Sequence, residues 1–170
     1  MTLTTERLTI TELTMDMAEA IHKNSLDEDN RRFVPDEVFE TIDEARETVD
    51  FLMSQYETKD GPLVYAILIS KTGENIGYVQ LIPIDDDQWE VGYHIAMQHT
   101  GKGYAAEAVR AFLPAITREV GINEVFGICL KENAASVRVM EKCGFKPVFN
   151  GLGKYQGEER NIVKMSWTRN

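Results

Sequence analysis

The sequence lacks any long apolar run. Its 170 residues contain no stretch approaching the roughly 18 to 20 apolar residues that a membrane-spanning helix needs. Residues 1–7 also lack a basic segment followed by an apolar one, so no signal peptide is predicted. Two cysteines, Cys129 and Cys143, are too few for a disulfide scaffold and lie beside apolar residues, which favours buried free thiols. We therefore expect a cytoplasmic protein with no membrane partner.

Basic residues are in the minority. Lys and Arg number 18 against 28 Asp and Glu, which gives a formal charge of −10 and a sequence pI of about 4.8. General nucleic-acid binding needs a basic face, so nucleic acid is not an expected partner. An acidic surface steers cationic partners such as amines, or it serves only solubility. Internal repeats, low-complexity tracts and linkers are also missing. The length suits one domain, predicted to span 1–170, with no metal site.

The most informative stretch is a glycine turn, Gln98–Ala106, between a strand-like and a helix-like run. Gly101 and Gly103 allow positive φ and a close approach of the backbone to a ligand. The first amides of a helix lack partners within that helix, and the macrodipole adds partial positive charge there. Lys102 adds a mobile cation. The turn therefore predicts a site for a phosphate or pyrophosphate.

Two other interpretations of this turn stay open. Residues 101–106 also fit the dinucleotide-binding pattern G-x-G-x-x-G/A. That pattern belongs to a parallel strand–helix–strand unit, whereas the preceding runs resemble antiparallel strands, which weakens this interpretation. A plain turn without any ligand is the other alternative.

Hydrophobic periodicity predicts the element order β-α-α-β-β-β-α-β-α-β-β, which indicates an α/β layer structure with a mixed sheet. The predicted strands are 6–13, 63–70, 76–84, 89–97, 124–130, 145–150 and 161–167. The predicted helices begin near residue 15 and after residue 41, and span 104–120 and 133–142. Thr14 and Thr41 are predicted N-caps, with Glu44 as the capping-box partner of Thr41. Loops or turns are predicted at 25–36, 71–75, 85–88 and 151–160.

A second informative stretch is Asn133–Phe145. Together with Gln98-x-x-Gly101-x-Gly103 it resembles the GNAT superfamily of N-acetyltransferases. The turn resembles that family's Q/R-x-x-G-x-G/A pyrophosphate loop, and the second stretch its N-x-x-[AS]-x-x-x-x-E-K-x-G-F segment. The runs 5–10 and 90–93 resemble the ribosomal-protein-alanine acetyltransferase (RimJ/RimL-like) branch. The resemblance spans nearly the whole chain and implies a single-domain α/β fold with a mixed, mostly antiparallel central sheet flanked by helices.

The resemblance implies acetyl-CoA as the acetyl donor. It places the pyrophosphate on the amides of 98–106 and the pantetheine arm along the edge of strand 89–97, whose last amides, 95–97, polarise the thioester carbonyl. It also places Asn133 on the cofactor arm and Ser136 near the thioester sulfur. The cations placed to offset the cofactor's charge are Lys102, Arg138 and Lys142. The predicted cofactor-binding residues are Ile95, Met97, Gln98, His99, Gly101, Lys102, Gly103, Tyr104, Ala105, Asn133, Ser136 and Arg138.

Glu90 is the candidate general base, because the amine must lose a proton before it attacks a thioester. Its alternative role is that of a solvent-facing strand residue. His94, on the same strand face, is a weaker second base or a structural residue. Ser136 is the candidate donor to the leaving thiolate, or only a polar residue in the first helical turn. Many GNAT enzymes carry an acidic tyrosine at the position of Met140, which cannot donate a proton. The general acid is then Ser136, water or another tyrosine. Alternatively no acid is needed, because a free thiol has a pKa of roughly 8.5 and its thiolate is a fairly stable leaving group.

The predicted activity is acetyl transfer to a primary amine. The acceptor is either the N-terminal amine of a protein, including a ribosomal one, or a small amine such as a polyamine or an aminoglycoside. Met140 keeps open a third alternative, a catalytically silent CoA-binding module. The acceptor site is predicted from loop 25–40 and the late hairpin, where Tyr155, Glu158 and Glu159 are either contacts or parts of a solvated turn. Both a monomer and a homodimer are compatible with the sequence.

Overall fold

A mixed β-sheet forms the centre of the molecule. The computed structural model describes residues 1–85 and 87–170, and in these ranges eight strands form one sheet with the order β1-β2-β3-β4-β5-β6-β8-β7. The strands are β1 (Thr2–Thr4), β2 (Leu8–Glu12), β3 (Leu63–Ile69), β4 (Asn75–Ile84), β5 (Gln88–Ile95), β6 (Glu124–Leu130), β7 (Lys146–Tyr155) and β8 (Glu158–Thr168). Neighbouring strands are antiparallel except β5 and β6, which are parallel. The predicted mixed, mostly antiparallel sheet is confirmed.

In residues 1–85 and 87–170, five helices accompany this sheet. They are α1 (Ala18–Ser25), α2 (Glu28–Phe33), α3 (Ile42–Thr58), α4 (Tyr104–Val120) and α5 (Ala134–Lys142), with 3-10 turns at Met15–Met17, Pro35–Glu37 and Met97–His99. Successive β3 residues point to opposite faces. Tyr65 belongs to the larger core cluster, which includes Phe112 of α4, and Val64 belongs to a smaller cluster with Val49 of α3. Helix α4 therefore packs on one face, and α1 with α3 on the other.

The predicted start of α3 is confirmed in atomic detail. The Glu44 amide donates to Thr41 Oγ1 at 3.2 Å, and the Glu44 carboxylate accepts from the Thr41 amide at 3.2 Å. This reciprocal capping box satisfies two of the amides that a helix leaves without partners. The same helix ends where Lys59 adopts the left-handed conformation (φ 58°). Helix α3 thus packs on the face of the sheet opposite α4, between the cap at Thr41 and the end at Lys59.

The parallel strands β5 and β6 separate soon after they meet. In the described residues only one register pair, Glu90 with Phe126, joins them. The Ala96 amide donates to the Ile76 carbonyl on the β4 side at 2.8 Å. Both backbone groups of a residue in an antiparallel pair point to the same side, and neighbours alternate. The backbone groups of Tyr93 and Ile95 therefore face the gap between β5 and β6.

The N-terminal third departs from the prediction. Strand β1 was not predicted, because its three residues offer too little alternation to show a pattern. The predicted loop 25–36 contains α2. This helix is mostly charged and lacks an apolar stripe, and its buried residue is Asn30. The Asn30 Nδ2 group donates to the carbonyls of Ser25 and Glu37 at 3.1 and 3.2 Å. Thr14 precedes a 3-10 turn and its side chain forms no capping hydrogen bond. The element order is thus β-β-α-α-α-β-β-β-α-β-α-β-β.

Two further segments differ from the prediction. Strand β5 ends at Ile95, two residues before the predicted end. The predicted strands 145–150 and 161–167 extend into the predicted polar hairpin 151–160, because β7 continues to Tyr155 and β8 begins at Glu158. The chain reverses at Gln156 and Gly157, which both have positive φ as in a tight hairpin turn. β7 is the last strand of the sheet, and its exposed edge explains the polar composition of this hairpin. The predicted turn 85–88 includes residue 86, which lies outside the described residues. Among the described helices, none is both long and apolar enough to cross a membrane.

Candidate active site

The glycine turn before α4 presents unpaired backbone amides. Gly101 and Gly103 have φ of 75° and 80°, in the left-handed region, and a Cβ built on Gly101 would meet nothing within 4 Å. Within residues 1–85 and 87–170, the amides of 101–106 donate no hydrogen bond to the protein. These amides lie at the positive end of a 17-residue helix. The turn therefore has the form of an anion site, as the sequence predicts.

An arginine from the N-terminal segment supports this turn. The Arg7 guanidinium donates to the Lys102 carbonyl at 2.9 Å and to the Glu107 carboxylate at 2.7 Å. It also lies over the Tyr104 ring, 4.5 Å from the centroid. Thr5 Oγ1 donates to the same carboxylate at 2.6 Å. The sequence marked 5–10 only as a resembling motif. The structure shows that Thr5 and Arg7 hold the turn and the first turn of α4 together.

A cavity of about 360 Å³ opens between this turn, the end of β5 and the start of α5. Most of the predicted cofactor-binding residues line it: Ile95, Met97, His99, Gly101, Gly103, Tyr104, Ala105, Asn133, Ser136 and Arg138. Gln98 and Lys102 do not line it, and both are exposed. Arg138 and Lys142 contribute positive charge at the rim. Open glycine backbone, free amides and two cations fit a group that carries phosphates.

The strand-edge part of the prediction needs a correction at Met97. Met97 lies in a 3-10 turn, and its amide donates to Asp27 Oδ2 at 2.7 Å. This amide is therefore already paired and does not extend the free edge of β5. The edge that faces the gap consists of Tyr93 and Ile95. Asp27 was missed, because it lies just before α2, in the segment predicted as a loop.

Tyr93 and Ser136 meet where α5 approaches the gap. Their hydroxyl oxygens lie 2.9 Å apart, and Tyr93 also donates to the Ser136 carbonyl at 3.1 Å. Asn133 Oδ1 accepts from the Ser136 amide at 3.2 Å and so caps α5. Burial raises the pKa of the Tyr93 phenol well above its ordinary value, so it stays protonated. Tyr93 is thus a buried, protonated hydroxyl beside Ser136, at a position for which the sequence named no tyrosine.

Met140 belongs to the core and carries no polar group toward the site. It is 1% exposed and packs against Gly127, where an added Cβ would overlap the Met140 sulfur. The methionine therefore fills space that a glycine on β6 leaves open. No proton donor is present at this position, and the hydroxyls that meet where α5 approaches the gap are those of Tyr93 and Ser136.

A second cavity of about 530 Å³ lies on the other side of the gap. Glu90 lines it, together with Glu37, Tyr155 and Lys164, and it shares Tyr93, Asn133 and Ser136 with the first cavity. The two cavities therefore meet at the Tyr93–Ser136 pair. A group bound along the turn and a group bound beside Glu90 approach each other at this junction.

Three carboxylates line the second cavity, Glu37, Asp85 and Glu90, and the pKa values of Glu37 and Glu90 are raised. Burial, and then the neighbouring Glu37 carboxylate, raise the pKa of Glu90 to about 7, while the Ile128 amide and Lys164 ammonium act in the opposite direction. Burial raises the pKa of Glu37 to about 6, against a hydrogen bond from Gln80. A carboxylate with a pKa near neutrality is suited to accept a proton at physiological pH. The sequence singled out Glu90 but missed Glu37, which follows α2 in a 3-10 turn.

The remaining candidates lie at different places. His94 Nε2 is 3.8 Å from Asp27 Oδ2, and burial lowers the pKa of the imidazole despite this acidic neighbour. Tyr155 donates to the Phe33 carbonyl at 2.9 Å and lines the Glu90 cavity, and burial raises its pKa to about 12. Glu158 and Glu159 are exposed and do not line it.

Both cysteines are free and buried. In the described ranges no group of three or more His, Cys, Asp or Glu side chains could hold a metal ion.

Comparison with known proteins identifies the family. The sequence profile of the acetyltransferase (GNAT) domain matches residues 7–146. The chain belongs to the GNAT acetyltransferase family. An uncharacterized N-acetyltransferase of Bacillus subtilis, YnaD, is 26% identical over 147 residues, covering 86% of this chain and 83% of the relative. The GNAT chain is accordingly an acyltransferase, as predicted.

Solved structures show the same fold over almost the full length. A GNAT-family acetyltransferase from Bacillus anthracis superposes with a TM-score of 0.83 at 23% identity, covering 99% of this chain and 98% of that one. RimL, a ribosomal alpha-N-protein acetyltransferase solved in complex with coenzyme A, also gives 0.83 at 17% identity, with 99% and 98% coverage. The predicted GNAT fold is confirmed.

Proposed function

We propose that the protein is an acetyl-CoA-dependent N-acetyltransferase that acts on the N-terminal amine of a cytoplasmic peptide or protein. The observation that carries this proposal is the meeting of two cavities at Tyr93 and Ser136. One is lined by the glycine turn, and the other by a carboxylate with a pKa of about 7. A donor on one side and an amine on the other come together only at this junction.

The donor side would hold acetyl-CoA largely through backbone groups. The amides of 101–106 suit the pyrophosphate, with Arg138 and Lys142 at the rim. The free edge of β5 at Tyr93 and Ile95 suits the amide groups of the pantetheine arm, which would pair with it as an added strand does. RimL, which shares this fold, was solved with coenzyme A. The turn, the strand edge and the α5 terminus together form one continuous surface along the gap.

The acceptor side prepares the amine. An ammonium entering the cavity would transfer its proton to the Glu90 carboxylate, either directly or through one water, and so become nucleophilic. Acetyl-CoA supplies an acetyl group bonded to sulfur, so that one N–C bond forms, one C–S bond breaks, and the products are the acetylated amine and the CoA thiol. At the junction the Tyr93 hydroxyl donates to the Ser136 carbonyl, so the hydroxyl hydrogen that can turn toward the leaving sulfur is that of Ser136. A thiolate needs little help to leave, because its pKa is roughly 8.5.

The acceptor cavity favours a peptide amine over a fully cationic small molecule. It is wide, about 530 Å³, and two cations, Lys154 and Lys164, line it together with the carboxylates. These cations offset part of the attraction that Glu37, Asp85 and Glu90 exert on a polyamine or an aminoglycoside, whereas the carbonyl groups of a peptide can accept hydrogen bonds from them. Structural similarity to RimL, a ribosomal alpha-N-protein acetyltransferase, agrees with this choice of acceptor.

The decisive experiment measures thiol release from acetyl-CoA with peptides that have free or blocked N-termini. We expect turnover with free N-termini only, and the mass of the product should increase by one acetyl group at the α-amine. Spermidine and kanamycin provide the small-amine comparison. Turnover with these amines and not with peptides would overturn the assigned acceptor. Acetyl-CoA binding in calorimetry without turnover of any amine would instead indicate a CoA-binding module.

A further inference from the structure

A third cavity extends from the acceptor side toward α1 and α3. It encloses about 240 Å³ and its wall is mostly apolar. The apolar residues that line it are Leu13, Ile21, Phe39, Val49, Leu52, Pro62 and Val64. Ligand sites for whole drug-sized molecules occupy roughly 300–1,000 Å³. This cavity is smaller, so it suits one aromatic or branched aliphatic group rather than a complete ligand.

Glu37 lies where this apolar cavity meets the Glu90 cavity. Glu37, Tyr78 and Gln80 line both. Gln80 Nε2 donates to Glu37 Oε1 at 3.0 Å, which orients the carboxylate. Glu37 Oε2 is buried and has no hydrogen-bond partner in the described residues. A buried carboxylate oxygen without a partner is costly, so a donor from a bound molecule would be favoured there.

A glycine on β5, Gly92, lies between the Glu37 and Glu90 carboxylates. Glu90 and Gly92 share one strand face with His94, and strand rise places Glu90 and Gly92 roughly 7 Å apart. Gly92 is paired with Gln80 on β4, and a Cβ on Gly92 would lie 2.7 Å from Gln80 Nε2. A side chain at position 92 would therefore displace Gln80 from Glu37. Glycine at this position keeps the junction between the cavities in place.

We infer that the small apolar cavity selects the side chain of the acceptor's first residue, with Glu37 holding the adjacent ammonium on the side away from Glu90. The acceptor class is then a peptide whose N-terminal residue is large and apolar, such as leucine or phenylalanine. The inference rests on the proposed function, because it assigns the substrate of the same site. An ammonium between Glu37 and Glu90 would donate a hydrogen bond to the unpaired Glu37 Oε2. The side chain of the acceptor's first residue would replace water against the apolar wall of the cavity.

Apolar burial sets the expected size of the preference. Each methylene removed from water contributes roughly fourfold in affinity, so a leucine side chain should gain at least tenfold over alanine. The experiment compares kcat/KM for tetrapeptides that differ only in the first residue, which is Gly, Ala, Leu or Phe. We expect the Leu and Phe peptides to be at least tenfold better substrates than the Ala peptide. Equal values across the four peptides would overturn the inference while leaving the proposed function intact.

A pair of variants on α3 tests the location of the preference. Leu52 lines the apolar cavity and is half-buried, whereas the adjacent Phe51 is 54% exposed and lines none of the described cavities. Leu52→Trp should fill the cavity and reduce the Leu-to-Ala ratio of kcat/KM at least fivefold. Phe51→Trp, which introduces the same side chain on the same helix, should leave that ratio unchanged. An unchanged ratio in Leu52→Trp would contradict the assignment.

The role of Glu37 is tested by its charge. Glu37→Gln should raise the KM for every peptide about tenfold and leave acetyl-CoA affinity unchanged. Asp50→Asn removes the same charge from an exposed position of α3 and should leave KM unchanged. A KM in Glu37→Gln equal to that of the parent would exclude Glu37 from the acceptor site.

Direct binding separates failure of this inference from failure of the proposed function. Calorimetry of the protein with saturating CoA should show leucinamide binding at least tenfold tighter than alaninamide. If no peptide is acetylated but this preference is present, the cavity assignment holds and the proposed activity does not. If neither amide binds at millimolar concentration, the cavity assignment is overturned.

Discussion

The donor cavity and the Glu90 cavity meet at Tyr93 but are built by different means. The donor side is built mainly from backbone groups of three short segments, the end of β5 and residues 98–106 and 133–138. The acceptor side consists of side chains, Glu37, Gln80 and Glu90, from three separate elements. Backbone sites depend on local conformation, which glycines and helix ends encode. Side-chain sites depend on which distant residues the fold brings together, so their chemistry can change without a change in fold.

The largest expected effect lies on the acceptor side. Glu90→Gln should lower kcat by about 10² to 10⁴-fold, the usual contribution of a general base. The acetyl-CoA dissociation constant should stay within twofold of the parent value, because Glu90 does not line the donor cavity. Steady-state kinetics and calorimetry on the same preparation measure both. A variant with full turnover would exclude Glu90 as the base.

Glu37 should destabilise the folded protein at alkaline pH. Its pKa is about 6 in the fold against an ordinary 4.5, so the protonated form is favoured on folding. The associated stability is fully present below pH 4.5 and is lost as the pH rises through 6. Glu37→Gln should therefore increase the free energy of unfolding by about 2 kcal/mol at pH 8, at about 1.4 kcal/mol per pKa unit. Urea unfolding should show this gain at pH 8 and none at pH 4.5. Equal stabilities at pH 8 would place the Glu37 carboxylate in a solvated or paired setting.

The pH dependence of turnover should report the same cavity. The base must be ionised, so kcat/KM should rise with pH and level off above the Glu90 pKa of about 7. Between pH 8 and pH 6 it should fall about tenfold, and more steeply below 6 as Glu37 is protonated. The part of this fall that lies between pH 8 and pH 6 should disappear in Glu90→Gln, which serves as the control, whereas the part below pH 6 that comes from Glu37 should remain. A flat profile from pH 6 to pH 8 would show that no cavity carboxylate acts as the base.

The donor side should respond to backbone strain. Gly101→Ala adds a methyl group that meets no atom within 4 Å, so its effect comes from the left-handed backbone, about 1 kcal/mol. Distortion of the turn should raise the acetyl-CoA dissociation constant about fivefold. Gly121→Ala is the matched control, because it has φ of 83° and open space at the other end of α4. It should destabilise similarly without changing affinity. Equal affinities in both variants would argue against the turn as the anion site.

The smallest effect should come from a donor-side charge. Lys102→Ala should change acetyl-CoA affinity less than threefold at moderate salt, because the exposed ammonium is screened and lies outside the cavity. Lys71→Ala, in an exposed turn, provides the background value. A loss above thirtyfold in Lys102→Ala would mean that a side chain, rather than the backbone, dominates anion binding.

The same contrast explains what the sequence could predict. The turn and the Asn133 segment are contiguous motifs, so their residues were found and most line one cavity. Strand alternation correctly placed Glu90 on the face shared with His94, away from Tyr93. The Tyr93–Ser136 and Glu37–Gln80 contacts each join residues 43 positions apart. No local pattern encodes such pairs.

Other misses have similar physical causes. The contact between Arg7 and Lys102 spans 95 positions. Only the fold shows that Thr5 and Arg7 both contact the start of α4. The segment 25–36 was predicted as a loop because its helix is short and charged. The contact of Asp27, which precedes this helix, with the residues that follow β5 was therefore not predicted. The pairing of the Met97 amide with Asp27 then shortened the predicted free edge of that strand.

The separation of β5 from β6 has a consequence for hydrogen exchange. Residues of β5 alternate between amides that bond to β4 and amides that face the gap. Exchange rates along this strand should therefore alternate residue by residue, slow at Gly92 and His94 and fast at Tyr93 and Ile95. A ligand that pairs with the gap-facing edge would slow only the fast set. A single strand would thus report occupancy of the gap and integrity of the sheet as two separate signals.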